Sequence, residues 1–167
     1  GNLVGNARWQ GIRLDDLLAS AGISPQADQI VGRSVDGFTA GFPTATLDGR
    51  NALLAVAMNG EPLPLKHGFP ARLVVPGLYG YVSAMKWLVD MEFTEWDAYD
   101  AYWIQRGWAK EAPIKTQSRT DTPRGSVAAG DVAVAGVAWA QHVGIGAVEL
   151  ANLLASSQQH ERGAGFG

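Results

Sequence analysis

The sequence predicts an α+β fold, with a mixed β-sheet and short covering helices followed by further strands. The prediction depends on three observations. Short apolar runs recur along the chain, one early segment has helical spacing, and 21 glycines and 8 prolines supply frequent turns. With 47% hydrophobic residues among 167, the chain can bury the core of one domain and part of a second.

The first elements are predicted from periodicity and turn residues. The apolar residues of 12–21 recur at helical spacing, so this segment is predicted to be a helix that ends at Gly22. Residues 30–35 are predicted to form a short strand that closes in a turn at Asp36 and Gly37. Residues 38–43 are predicted to be a second extended segment.

The centre of the chain is predicted to contain three further strands. Residues 52–58 form a continuous apolar run that ends at the turn pair Asn59 and Gly60, which indicates a buried strand. Residues 71–75 form another short apolar strand. In residues 88–93, acidic residues alternate with apolar ones, as is typical of a half-buried strand.

The second half of the chain is less regular. Residues 95–110 are rich in aromatic side chains at irregular spacing, which indicates a folded crossing segment without a regular helix. The polar, proline-containing segment 112–126 is predicted to be a linker. Residues 132–139 alternate as a strand does, and 146–159 are predicted to contain a short helix before a frayed tail.

Composition excludes several classes of function. The net charge is -3 and no basic cluster is present, which argues against nucleic acid as a partner. Without cysteine, the chain can form no disulfide, thiolate metal site or cysteine nucleophile. No apolar run approaches the ~20 residues that a membrane span requires. Because the sequence does not start with Met, we expect it to begin within a longer protein or to be processed.

The densest group of potential ligand-binding residues lies in 59–87. Glycines let backbone N–H groups approach an anion closely, while Arg, Lys and His side chains donate hydrogen bonds to it. The segment therefore predicts an anionic ligand. The alternative interpretation is that its charged side chains are only the solvated ends of apolar strands. The donors are His67, Arg72, Ser83 and Lys86, and the glycines are Gly68, Gly77 and Gly80.

Four submotifs of this segment resemble, in order and spacing, the molybdopterin-binding domain of the sulfite oxidase family. They are residues 58–64, 67–72, 76–77 and 86–87. Further segments extend the resemblance to roughly residues 3–149. Residues 7–14 resemble the family's Trp-x-Gly-x-x-Leu segment, 36–38 its Asp-Gly-aromatic turn, and 123–124 with 136–139 the start of its immunoglobulin-like dimerisation domain.

The resemblance implies a cofactor site. The positions that hold the pterin and phosphate of the cofactor in this family are His67 and Arg72 here, and Gly80, Ser83 and Lys86 correspond to residues that line the same pocket. The implied cofactor is molybdopterin, the organic part of the molybdenum cofactor. No residue of this chain is assigned a catalytic or metal-ligating role. His142 and His160 lack metal-ligand spacing and are interpreted as ordinary surface or core histidines.

Three departures from the family pattern narrow the expected function. The family ligates molybdenum through a cysteine thiolate, which this chain lacks. Phe38 stands where several members carry an active-site tyrosine. The immunoglobulin-like domain of the family is a β-sandwich, and its resemblance here covers only the first strands. We therefore expect a partial molybdopterin-binding domain over 1–111, a linker over 112–126, the start of an immunoglobulin-like domain over 127–150, and a divergent tail over 151–167.

The resulting expectation is a truncated, molybdopterin-dependent oxidoreductase domain of sulfite oxidase type, inactive by itself. One alternative is a non-catalytic, stand-alone domain that binds an anionic ligand or a protein partner, and another is a purely structural domain. An exposed strand edge at 132–139 predicts self-association in each case. Residues 78–81 and 141–145 are most similar to a bacterial, extracytoplasmic and often membrane-anchored branch of the family, but they assign no compartment to this chain.

Overall fold

A computed structural model describes residues 5–141 and 143–150 of the chain. The chain divides into two compact units, Gly1–Ile114 and Lys115–Gly167. The predicted tail over 151–167, His142 and His160 lie outside the described residues. Of the helix predicted over 146–159, only 146–150 are described, and they are not helical.

The α+β class is confirmed, since the described residues form short antiparallel strands and two short helices. The strands are β1 (Trp9–Arg13), β2 (Gln29–Ser34), β3 (Thr39–Pro43), β4 (Leu53–Met58), β5 (Glu61–Pro62), β6 (Arg72–Val74), β7 (Leu88–Thr94), β8 (Gln117–Thr122) and β9 (Ala135–Trp139). The helices are α1 (Leu14–Ala21) and α2 (Gly80–Ser83), and single 3-10 turns occur at Thr44–Thr46, Leu65–His67 and Ile104–Arg106.

The sheet that positions the candidate site has β4 at its centre. Strand β1 pairs with β4 along its length, while β5 and β6 also pair with β4, all antiparallel. Gly11 permits the close approach of β1, because a Cβ atom there would lie 2.1 Å from the Leu54 carbonyl oxygen. The sheet therefore brings β1, from the start of the chain, into the same layer as β6.

The helix predicted over 12–21 begins two residues later than expected. Residues 12 and 13 belong to β1, where the backbone of Ile12 pairs with that of Leu54, and Ile12 is 52% exposed. Sequence periodicity could not detect this because the pairing partner lies far along the chain. Leu14 and Leu18 are buried on the inner face of α1, and Gly22 ends the helix as predicted.

A second sheet has the order β3-β2-β7, also antiparallel. Its central strand β2 is almost entirely buried, which matches the apolar run in its sequence. Ser34 and the Phe38 backbone close the predicted turn at Asp36 and Gly37, with the Ser34 amide donating to the Phe38 carbonyl at 3.0 Å. The three strands predicted for this part of the chain are therefore confirmed.

One hydrophobic core supports both sheets of the first unit. Burying a large apolar side chain contributes about 1.5–3 kcal/mol, so its fully buried members dominate the stability of the unit. Leu73 belongs to this core and lies next to Arg72, so the core also fixes the strand that carries a candidate site residue. The largest buried apolar side chains are Phe42, Leu14, Ile30, Leu73 and Met85.

The aromatic segment 95–110 folds into a compact crossing, as predicted. The rings of Trp103 and Trp108 lie 4.8 Å apart, and Trp108 also meets Tyr81 edge-on at 4.8 Å. The Lys110 ammonium donates to the Trp96 carbonyl and, at 2.8 Å, to the carbonyl of Tyr99. The Lys110 ammonium therefore donates hydrogen bonds to two backbone carbonyls that lie outside the strands and helices.

The second unit contains a two-stranded ladder of β8 and β9. Strand β8 falls inside the segment 112–126, which the sequence predicted to be a linker, and this secondary-structure prediction is wrong for residues 117–122. The threonines of β8 suit a strand, but its partner β9 lies more than a dozen residues further along the chain. Gly136 of β9 allows the two strands to approach closely, because a Cβ atom there would lie 2.0 Å from the Arg119 carbonyl oxygen. No helix in the described part of the chain could cross a membrane.

Candidate cofactor-binding site

A left-handed glycine brings two basic side chains together in the first unit. Gly68 follows the 3-10 turn Leu65–His67 with φ 111°, a conformation that glycine adopts freely. A Cβ atom at this position would lie 3.0 Å from the Cβ of Lys86 and 3.1 Å from that of Arg72. The absence of a side chain at Gly68 thus lets the backbone of the turn pass between Arg72 and Lys86.

The Arg72 side chain is half-buried, and within the described residues it forms no ion pair with a carboxylate. Its Nη1 donates to the His67 carbonyl oxygen at 3.0 Å, and its central carbon lies 4.7 Å from the centre of the Trp9 ring. Its Nε is buried and has no hydrogen-bond partner among the described residues. The ion pairs found among residues 5–141 and 143–150 do not include Arg72, and burial lowers the pKa of its guanidinium.

The Lys86 ammonium has a similar environment. Its Nζ donates to the Lys66 carbonyl oxygen at 3.3 Å and lies 4.2 Å from the centre of the Trp87 ring. The Trp87 indole in turn donates to the Leu65 carbonyl oxygen at 2.7 Å, which ties the ring to the 3-10 turn. Each of the two cations therefore contacts one backbone carbonyl and one aromatic face, and no carboxylate forms an ion pair with either within the described residues.

One carboxylate influences Lys86 from further away. The pKa of the Asp36 carboxyl is lowered, first by a hydrogen bond from the Ser34 hydroxyl, then by one from the Phe38 amide at 3.1 Å, with a smaller contribution from the charge of Lys86. Both recorded hydrogen bonds of Asp36 are accepted by its Oδ1 and stay within its own turn. Among the described residues Asp36 forms no ion pair with Lys86.

The five residues predicted for the site fall into two groups. His67, Arg72 and Lys86 surround Gly68, as described above. Gly80 and Ser83 belong to helix α2, and their recorded hydrogen bonds stay within that turn: the Ser83 hydroxyl donates to the Tyr79 carbonyl at 3.1 Å and the Ala84 amide to the Gly80 carbonyl at 2.9 Å. Ser83 is 1% exposed, so its hydroxyl does not face an open pocket.

An apolar groove of about 570 Å³ lies beside the Lys86–Trp87 corner. Leu65 of the 3-10 turn and Trp87 both line it. Its remaining lining residues are Val35, Asp36, Phe69, Pro70, Leu88 and Val89. Within the described ranges no three His, Asp or Glu side chains are grouped so that they could hold a metal ion.

Sequence reasoning missed the role of Trp9 in this arrangement. It identified Trp9 only as part of a motif in residues 7–14, without a contact to the predicted site. The distance of 4.7 Å between its ring and Arg72 arises from the pairing of β1 and β6 with the same strand. No local signal could have revealed the contact, because 63 positions separate the two residues in the printed sequence.

Comparison with known proteins identifies the family of this chain. The family model "Oxidoreductase molybdopterin binding domain" matches residues 1–103. An uncharacterized oxidoreductase of Bacillus subtilis, YuiH, is 38% identical over 100 residues, which cover 60% of this chain and 50% of that protein. Human mitochondrial sulfite oxidase is 32% identical over 165 residues, which cover 81% of this chain and 30% of the relative.

A solved structure gives the same assignment. The sulfane dehydrogenase SoxCD from Paracoccus pantotrophus is 26% identical with a TM-score of 0.57, over 70% of this chain and 32% of that one. This chain spans half or less of the length of each of these three proteins. The family match covers more than half of the chain and includes every residue predicted for the site. The chain therefore belongs to the sulfite oxidase-type family of oxidoreductase molybdopterin-binding domains.

Proposed function

We propose that this domain binds molybdopterin, with Arg72 and Lys86 holding its phosphate and His67 contributing a further donor. The observation that carries the proposal is the half-buried Arg72 side chain, whose buried Nε has no hydrogen-bond partner and which forms no ion pair with a carboxylate in the described part of the chain. An unpaired buried charge is costly, so a fold retains it where an anion supplies the missing partner. A phosphate, with several acceptor oxygens, suits the planar guanidinium.

The surrounding residues support the fit of the pterin phosphate. Gly68 lets the turn backbone lie directly against the Cβ atoms of Arg72 and Lys86. Lys86 adds a point charge and Arg72 a directional fork, which are complementary means of binding one phosphate. Gly80 and Ser83 are proposed to contribute through backbone groups, because the Ser83 hydroxyl is engaged within its own turn.

The proposed role of this chain is to bind and orient the cofactor. When bound, a molybdenum cofactor supplies the oxidation–reduction chemistry, and the protein supplies position and electrostatics. The sequence contains no cysteine, so the chain offers the cofactor's organic part a binding site but offers the metal no thiolate. We therefore propose a cofactor-binding domain that by itself does not catalyse the oxidoreductase reaction.

The test is a binding titration of the purified chain with metal-free molybdopterin. We expect Arg72→Gln and Lys86→Gln each to weaken binding by about 10- to 100-fold, the range for a lost hydrogen bond to a charged group. Lys66→Gln is the matched control, because its side chain is exposed while its backbone carbonyl still accepts from Lys86. Wild-type affinity in both site variants would refute the proposal.

A second candidate function is association with another protein, and the second unit supports it. The ladder of β8 and β9 and the segments beside it expose several valines, including Val134 (45%), Val137 (40%) and Val148 (67%). These side chains line an open groove along the ladder, together with backbone of the same strands. Exposed two-stranded ladders tend to pair with further strands, so we propose self-association through this face.

Sedimentation velocity tests the second candidate. We expect wild-type protein to sediment as a concentration-dependent oligomer, and the double variant Val134→Ser/Val137→Ser to sediment as a monomer. Val56→Ser is the control, because it replaces a similarly exposed valine that belongs to the first unit. A monomeric wild-type protein across the accessible concentration range would exclude self-association.

A further inference from the structure

We infer that Trp9 is a positioning residue for Arg72: its indole face holds the guanidinium in place while leaving its charge available to the ligand. The inference deepens the proposed molybdopterin site and rests on it. Trp9 lies outside the set of residues that the sequence motifs assigned to the cofactor. Its contact with Arg72 is nevertheless direct, at 4.7 Å between the guanidinium carbon and the ring centre.

The pairing of β1 and β6 with the same strand brings the two residues together. Arg72 of β6 and Gly11 of β1 both pair with Ala55 of the central strand β4. Side chains two positions apart in a regular strand point to the same face. A register shift between residues 10 and 11 interrupts this pattern, so it is the 4.7 Å contact itself that places Trp9 on the face of Arg72. Gly11 and Ala55 place no large side chain between Trp9 and Arg72.

The chemistry of the contact explains why a ring is suited to this position. A carboxylate would hold Arg72 more strongly, but it would cancel the positive charge and compete with an incoming phosphate. An aromatic face attracts the cation through its quadrupole and carries no net charge, and tryptophan is the strongest of the aromatic side chains in this respect. The only hydrogen bond recorded for the guanidinium uses Nη1, so Nε and Nη2 keep their donors within the described residues.

The same arrangement occurs at Lys86, where Trp87 supplies the face and Lys66 the carbonyl oxygen. Trp9 is better suited to mutation than Trp87, whose indole donates a hydrogen bond to the Leu65 carbonyl of the 3-10 turn. Trp9 belongs to the outer strand β1 and has no recorded hydrogen bond to that turn, so replacing it changes the contact with Arg72 and leaves the hydrogen bonds of the turn in place.

The experiment combines nuclear magnetic resonance of the full chain with titration of metal-free molybdopterin. In the wild type, the Arg72 side-chain Nε–H resonance should be shifted upfield by the ring current of Trp9. We expect Trp9→Leu to remove this shift and to weaken molybdopterin binding by about threefold to tenfold, the range for a cation–π contact. Trp9→Phe should retain part of the shift and most of the affinity, which a merely space-filling role would not require.

Trp96→Leu is the matched control. Trp96 lies 4.7 Å from the Lys110 ammonium, the same distance as in the Trp9 pair, but belongs to the aromatic segment away from the candidate site. We expect it to leave the Arg72 resonance and the affinity unchanged. Backbone amide spectra of each variant establish that the first unit is folded before affinities are compared.

The outcomes separate this inference from the proposed function. If the wild type does not bind molybdopterin, the proposed function fails and the inference fails with it. If the wild type binds and Trp9→Leu binds equally well, only the role of Trp9 is refuted. Absence of a ring-current shift at Arg72 in the wild type would also overturn the inference, and that measurement does not depend on whether Trp9→Leu folds.

Discussion

Replacing Gly68 with alanine should damage both the stability of the first unit and its cofactor affinity. Gly68 has φ 111°, and its conformation is fixed on both sides: its amide donates to the Leu65 carbonyl at 3.1 Å and its carbonyl accepts from the Trp87 amide at 3.3 Å. An L-residue in the left-handed region costs about 1–2 kcal/mol. The backbone cannot rotate away from this strain without losing one of the two hydrogen bonds.

A second contribution comes from packing. The new methyl group would lie 3.0 Å from the Cβ of Lys86 and 3.1 Å from the Cβ of Arg72. Overpacking of this kind costs typically about 1–3 kcal/mol, because the neighbours must shift. Gly68→Ala should therefore lower the free energy of unfolding by about 2–5 kcal/mol in total. It should also weaken molybdopterin binding, since the two atoms that must move belong to the proposed phosphate-binding side chains.

Gly60→Ala separates the two contributions. Gly60 has φ 89°, but no atom lies within 4 Å of where its Cβ would be, so this variant carries the backbone strain alone, about 1–2 kcal/mol. Urea unfolding followed by tryptophan fluorescence measures both variants, and five of the six tryptophans lie in the first unit. If Gly68→Ala is no less stable than Gly60→Ala, or binds molybdopterin as tightly, then the packing argument is wrong.

Two further predictions concern the framework around the site. Hydrogen bonds from Arg50 lower the pKa of the Asp48 carboxyl, so this group stabilises the fold above its ordinary pKa of about 4 and loses that contribution as the pH falls through the folded value. In urea unfolding measured at several pH values, the free energy of unfolding of Asp48→Asn should therefore fall less steeply at acid pH than that of the wild type. Lys110→Met should lower the free energy of unfolding by about 1–3 kcal/mol and reduce near-ultraviolet circular dichroism, because the carbonyls of Trp96 and Tyr99 lose their donor.

Each of these two predictions has a complementary measurement. Arg50→Gln removes the partner of Asp48 and should reduce the fall of the free energy of unfolding at acid pH in the same way. A wild-type pH dependence in both variants would contradict the proposed contribution of the Asp48–Arg50 pair. Lys66→Met removes an exposed lysine side chain and should leave the circular dichroism of the aromatic segment unchanged. A Lys110→Met protein with wild-type dichroism and stability would show that the ammonium does not organise that segment.

The fold class and most strands could be predicted from the sequence because their signals are local. The apolar run of 52–58 with its Asn59–Gly60 turn and the alternation of 88–93 each identify a strand from neighbouring residues alone. Elements that depend on a distant partner were placed less well. Residues 12 and 13 joined β1 because β4 pairs with them, and 117–122 became a strand because β9 does.

The candidate site divides in the same way. The family and the donors His67, Arg72 and Lys86 follow from residue types and motif spacing, which are properties of the chain. Folding packs Arg72 against Trp9, leaves its Nε without a hydrogen-bond partner among the described residues, and directs the Ser83 hydroxyl to its own turn. The physical reason is that desolvation and cation–π contacts depend on which strands become neighbours in the sheet, and that information is not contained in the residues next to Arg72.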